Sequence, residues 1–416
     1  MSYERKPTAR RNLTRRRFAQ AAAFAVSSPL PALAQQPVKL TLWHNHPEWK
    51  ERVIAILNRF EALHPNIKID LQELPSSAYV PRINTALAAG EGPDIVALNA
   101  GPATRAAVEA GYLTDLTGKL KIDSLTPSAR SASLIDGKVY GVPILGSYTV
   151  GLYYNRDIFA KEGLTPPTTW DEYLALAKKL KDKGITAMIG PSQDGTIPGF
   201  LFMLIASSIL GTDGLEAVRK GTRKFTDPDL LKAAYFLRDI YATFHAGALG
   251  TSYTEGKALF ALGRGAMMEA GSADYAGFTT TNPKVNLGVV PFPAGPGGKP
   301  STVTGMQQVF GINTRTKFAS EALTFLQWML TKEPAQMVVD TITLSTSTEV
   351  RPTDNRVMNE MLQAAKSNDV RVWFEFPEVG KVFAVVGQKA QPLFLGELSP
   401  EDFARTVQAA VTPSAM

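Results

Sequence analysis

Cysteine is absent from this 416-residue chain. Its absence excludes disulfides, thiolate metal ligands and the lipidated N-terminal cysteine that tethers many exported proteins. Histidine is scarce, with only His44, His46, His64 and His245. Long apolar runs are missing too. The longest, residues 200–210, is interrupted by Ser207 and Ser208 and is far shorter than the roughly 20 residues of a membrane-spanning helix. An excess of one charge is also lacking once the N-terminus is set aside. Of 44 Lys plus Arg, seven lie in residues 1–34, and of 38 Asp plus Glu only Glu4 does, which leaves 37 against 37. The basic pI therefore belongs to the N-terminal segment, and a surface built for nucleic acid or anionic lipid is excluded.

That segment carries Thr14-Arg15-Arg16-Arg17-Phe18, a modestly apolar stretch over 18–26, and Ala32-Leu33-Ala34. A basic region, an apolar region and small residues at the cut form the order of a twin-arginine export signal. A basic arm for nucleic acid is the alternative, and the apolar stretch would serve it poorly. The expectation is a signal over 1–34, export by the twin-arginine translocase and a mature protein in the periplasm. Removing 34 of 416 residues leaves 382, enough for two compact domains.

Along the mature chain, 38–43 reads as a strand, and Val53, Ile56, Leu57, Phe60 and Leu63 share one face of a helix. Ile67, Ile69 and Leu71 alternate as a strand does. A helix is predicted over 79–89 and a buried strand over 95–98. Strand–helix alternation predicts an α/β fold with mostly parallel sheets, whose ligand crevices lie beyond the carboxyl ends of the strands. The character changes near 146, where helices begin to dominate. Pro291-Phe-Pro-Ala-Gly-Pro-Gly-Gly-Lys-Pro300 forbids regular structure and marks a loop or crossover.

Taken in order, several segments resemble the extracellular solute-binding proteins of ABC importers, the maltose-binding-protein-like group that takes sugars and polyols. They are Gly90-Glu-Gly-Pro-Asp-Ile95, Gly111-Tyr-Leu113, Asp136-Gly-Lys-Val-Tyr-Gly-Val-Pro143, Leu152-Tyr-Tyr-Asn155, Pro166-Pro-Thr-Thr-Trp-Asp-Glu172 and Phe260-Ala-Leu-Gly-Arg-Gly-Ala-Met267. The likeness runs from about 38 to 411. It implies a two-lobed periplasmic binding protein fold with the ligand cleft between the lobes. The N-terminal lobe would comprise 35–145 plus about 293–331, and the C-terminal lobe 146–292 plus about 332–416. It also implies a monomeric, non-enzymatic receptor without cofactor, partnered by ABC permease subunits.

Candidate ligand contacts follow from strand ends and from the resemblance. Trp43, His44, Asn45 and His46 close the first strand, placing an aromatic plane and polar groups at a crevice edge; Trp43 in the core and histidines bonded to loop backbone are the plain readings. Asn99 follows the strand at 95–98 and reads equally as a helix cap. Ser147 and Tyr148 follow the crossover. Asp194 can accept two hydroxyls or simply close a turn. Ser272 and Gln307 stand at the ends of strand-like runs, the resemblance adds Thr348 and Arg351, and Trp373 with Phe374 and Phe376 offers a stacking surface; a surface ion pair is the alternative for Arg351 and core packing for Trp373. His44-x-His46 also fits a metal-dependent hydrolase, in which two imidazoles at a strand end hold zinc; no third ligand cluster is evident in the sequence. No metal is expected.

Overall fold

The computed structural model describes residues 37–74, 76–295, 298–306, 308–351, 353–367 and 379–411. Residues 1–36, with the segment expected to direct export, and Gln307 and Trp373 lie outside the described residues. Among these, eleven strands are numbered in chain order: β1 (Val38–His44), β2 (Ile67–Glu73), β3 (Ile95–Asn99), β4 (Leu134–Ile135), β5 (Lys138–Val139), β6 (Ser147–Asn155), β7 (Met188–Ile189), β8 (Met267–Gly271), β9 (Leu287–Val290), β10 (Val303–Met306) and β11 (Gln308–Ile312).

The first sheet has the order β11-β3-β1-β2. β1 runs parallel to β2 and β3, and β11 returns antiparallel. Both faces are buried because successive side chains point to opposite sides. Leu40, Leu42, Ile95 and Ala97 enter one core, while Trp43, Val96 and Leu98 enter another with Tyr79 and Ile83. The helix Lys50–Leu63 buries Val53, Ile56, Leu57 and Phe60, as its spacing predicts, and leaves Leu63 45% exposed.

The second sheet has the order β10-β6-β8-β7, with β9 also on β6. Here the parallel expectation gives way. β6 is antiparallel to β8, β9 and β10, and only β7 and β8 run parallel. Apolar patterning marks a strand as buried, whereas its direction is set by where the connection enters the sheet. A separate core surrounds this sheet, fed by Ile197, Leu201 and Leu204 of the helix Thr196–Arg219 and by Val382 and Val386 of the helix Val379–Phe394.

Three crossings join the sheets. The first runs over 140–146, between β5 and β6. The return was expected near 293, yet β10, ending at Met306, pairs with β6 and β11, beginning at Gln308, pairs with β3. The proline- and glycine-rich stretch is instead an excursion within the second unit. Phe292 and Ser301 exchange backbone hydrogen bonds of 2.8 and 2.9 Å, and the Ser301 hydroxyl donates to the Leu204 carbonyl. The third crossing also falls later than 332. The helix Lys332–Thr341 places Val338 in the first core, and Leu344 is the next residue to enter the second. Crossings one and three touch. At Gly146 (φ 99°) a Cβ would lie 2.4 Å from Thr343 Cγ2 and 2.6 Å from the Leu344 carbonyl oxygen, so only glycine fits this approach. No described helix is long and apolar enough to cross a membrane.

Candidate functional site

Two polar groups sit at the junction of the sheets. The first is built on the end of β1, where β1 and β2 finish in register with His44 opposite Glu73. His44 is fully buried. Its Nδ1 accepts the His46 backbone N–H at 3.0 Å, and its Nε2 lies 3.4 Å from Glu73 Oε1. Lys50 Nζ is 3.6 Å from the other Glu73 oxygen. The His46 ring stacks on Trp49 at 3.9 Å between centroids and 13° between planes. Asn45 is buried between them in sequence. Trp43 points away into the core around Tyr79, with the Arg82 guanidinium 5.1 Å above its ring; the plain reading holds for its packing.

The second group gathers where β6 leaves the first crossing and β8 ends. Ser147 donates its backbone N–H to the Leu344 carbonyl at 2.8 Å, and its own carbonyl accepts the Thr343 hydroxyl at 2.9 Å. Ser272 is fully buried; its Oγ lies 2.7 Å from Thr343 Oγ1 and accepts the Thr149 N–H at 3.2 Å. Thr149 and Thr304 hydroxyls meet at 2.8 Å. The three crossings are thus tied by short hydroxyl side chains.

Asp274 anchors this group. Its Oδ2 accepts from the Gly271 backbone N–H at 2.9 Å and from the hydroxyls of Tyr148 at 3.2 Å and Tyr253 at 2.5 Å. Its Oδ1 takes Lys257 Nζ at 3.1 Å. Burial, with the Asp274 charge second, holds both tyrosine hydroxyls well above the ordinary phenol range. Tyr148 therefore has its hydroxyl engaged while its ring packs against both cores and lies 5.7 Å from Phe200. Gly271 makes room for that ring, which a Cβ would meet at 2.0 Å.

The groups border one junction. Ala273 joins the core that holds Trp49, and the turn Pro47–Trp49 lies beside the helix Tyr275–Thr281. The structure thereby brings together Ser147, Tyr148 and Ser272, and sets His44, Asn45 and His46 at the same junction. It does not gather the rest. Asn99 is exposed at the end of β3, its backbone in register with Gln308 and its carbonyl accepting the Thr104 hydroxyl. Asp194 accepts the N–H groups of Thr196 and Tyr253, both at 3.0 Å, and so ties two helix starts. Thr348 holds the Ser124 carbonyl through its hydroxyl and backbone N–H. Arg351 is exposed, bonded through its backbone to Gln336, in a groove beside Lys332 and Asp340. Among the described residues no group of three or more His, Cys, Asp or Glu is disposed to hold a metal ion.

Sequence reasoning missed Asp274, Tyr253, Lys257, Glu73 and Glu269. Two signals were available. Tyr253 and Lys257 stand four apart on one helix and so share a face. Glu269 interrupts the apolar run Ala266-Met-Met-Glu-Ala270, and an acid inside a buried strand calls for a reason.

The sheets, crossings and junction are those of a two-lobed binding protein. Residues 45–336 match the bacterial extracellular solute-binding protein family, and the chain belongs to that family. It is 26% identical over 320 residues to the multiple sugar-binding protein of Streptococcus mutans, covering 74% of each chain. It is likewise 26% identical over 303 residues to the galactooligosaccharide-binding protein of Bacillus subtilis, covering 69% of this chain and 68% of that one. Among solved structures, a chitin oligosaccharide binding protein superposes with a TM-score of 0.77 at 26% identity, over 90% of this chain and 98% of that one. RafE in complex with raffinose gives 0.77 at 23% identity, over 90% and 99%.

Proposed function

We propose that this protein is the solute-binding subunit of an ABC importer, capturing a neutral sugar or polyol-like ligand between its lobes and presenting the closed form to the permease. Membership of the family and the sugar-binding relatives support the class. The observation that carries the ligand chemistry is the junction itself, where the Tyr148 ring, with its hydroxyl bound to Asp274, packs against both cores. Such a ring offers a face to a sugar's C–H surface, and about 80 Å² of apolar contact contributes about 2 kcal/mol. Micromolar affinity requires about 8 kcal/mol, so hydrogen bonds from both lobes supply the remainder. We assign the described residues of 37–146 and 308–342 to the first lobe and those of 147–306, 356–367 and 379–411 to the second. Export follows the twin-arginine route, and the receptor acts as a monomer that binds without turnover.

Thermal unfolding across a library of saccharides, polyols and their phosphate esters tests this reading. A ligand at one hundredfold its Kd stabilises by about 2.7 kcal/mol, and the expected result is a selective rise in Tm with the ligand recovered unchanged. Consumption of the ligand by the purified protein would overturn it.

A further inference from the structure

Glu269 is fully buried in the middle of β8. Neither of its carboxyl oxygens has a hydrogen-bond partner among the described residues. It stands opposite Leu152, with Met268 and Ala270 beside it in sequence. A buried acid without a partner is destabilising, because neither water nor protein compensates its charge. Retaining one two residues from Gly271, which the Tyr148 ring covers, points to a role tied to the junction.

The ionisable surroundings are few. Tyr148 comes from β6, Asp274 from the turn after β8, and Tyr253 and Lys257 from the helix Tyr253–Ala261; Tyr148, Tyr253 and Lys257 all bond to Asp274. The buried faces of the helices Thr196–Arg219 and Val379–Phe394 present Ile197, Leu201, Val382 and Val386. At the β9 edge, Arg156, Arg356 and Glu360 pair with one another. Among the described residues no cation is paired with Glu269, and burial first, then the negative charge of Asp274, push its carboxyl well above the usual range. Its cover depends on lobe position, because Tyr148 packs against the cores of both lobes. Parting the lobes strips one side of that ring and admits water to the polar cluster beneath it.

We propose that Glu269 links lobe closure to proton uptake: it is buried and neutral while the lobes are together, and ionises when they part. The inference rests on the closing motion described above. Its sign follows from linkage. The closed form holds a proton that the open form, with a carboxyl near its ordinary value of about 4.3, gives up as pH rises. The ratio of closed to open molecules therefore falls with pH above that value, by at most about tenfold per unit, until the closed form also ionises.

Small-angle scattering of the mature protein without added ligand, from about pH 5 to about pH 8, tests the linkage. The expected result is a radius of gyration that grows with pH in the wild type and stays at its low-pH value in Glu269→Gln. The variant keeps every histidine, so a histidine-driven response would survive it. An identical pH response in both proteins, or none in the wild type, overturns the proposal. Should Glu269→Gln fail to fold, infrared spectra of the wild type decide. The carbonyl band of a protonated carboxylic acid must vanish in step with the growth in radius, and growth while the band persists overturns the linkage. A saccharide that compacts the protein at fixed pH, with both proteins responding alike to pH, would leave the binding function intact and remove the proton coupling alone.

Discussion

The two lobes hold their buried acids differently. In the first, Glu73 lies at a strand end, with His44 3.4 Å and Lys50 3.6 Å away. In the second, Asp274 gathers four donors while Glu269, inside the same sheet, has none. A satisfied acid fixes the positions of its donors, whereas an unsatisfied one stores free energy that a change of conformation can release. Within the second lobe, Asp274 thus holds its donors in place, and Glu269 is the acid left to respond.

Removing Asp274 breaks the contrast most severely. Asp274→Ala leaves the Lys257 ammonium and two tyrosine hydroxyls without their acceptor, and the expected loss is about 3 kcal/mol, read as a lower midpoint in urea unfolding. Equal stability would mean that the cluster is solvated and anchors nothing.

Glu269→Gln sharpens it. The folded-state carboxyl is raised above its unfolded value, so the native protein binds the extra proton and loses stability as pH climbs from about 4.3 towards the folded value. The variant escapes that loss. Urea midpoints are expected to match near pH 4 and to diverge in favour of Glu269→Gln by up to about 1.4 kcal/mol per pH unit above it; a constant difference at all pH values would contradict a buried neutral acid.

Tyr148 separates anchoring from stacking. Once a ligand is identified, Tyr148→Ala should weaken binding by about 2 kcal/mol, or roughly thirtyfold, through loss of the ring. Tyr148→Phe, which keeps the ring, should lose about 1 kcal/mol or less; calorimetric titration distinguishes them, and equal losses would move the recognition to the hydroxyl. The smallest effect is expected at Arg351, whose exposed side chain stands beside the helix Lys332–Thr341. Arg351→Ala should leave affinity within about twofold, since exposed charges contribute under about 1 kcal/mol.

Much of this architecture is legible in the sequence. Period-two alternation, a continuous apolar run and helical spacing locate β1, β2, β3 and the helix Lys50–Leu63 closely. The passages from β10 to β11 and over 342–344 are not legible in this way. Proline and glycine mark irregular chain, not the core it belongs to, and the Phe292–Ser301 pairing is a contact between residues that local pattern does not join. The candidate site was half visible. Ser147, Tyr148 and Ser272 stand at strand ends that any reading reaches, but Asp274 matters only because Tyr253 and Lys257 fold back onto it. Asp194 shows the converse, a residue suited to sugar hydroxyls whose oxygens serve two backbone N–H groups.

The most direct test of the binding reading is calorimetric titration of the mature protein with the saccharide that gives the largest thermal shift, followed by chromatographic recovery of that saccharide. One ligand bound per protein, recovered unaltered, is the predicted result. Saturation without heat at any temperature, or a ligand converted to a new product, would contradict a receptor that closes on a sugar.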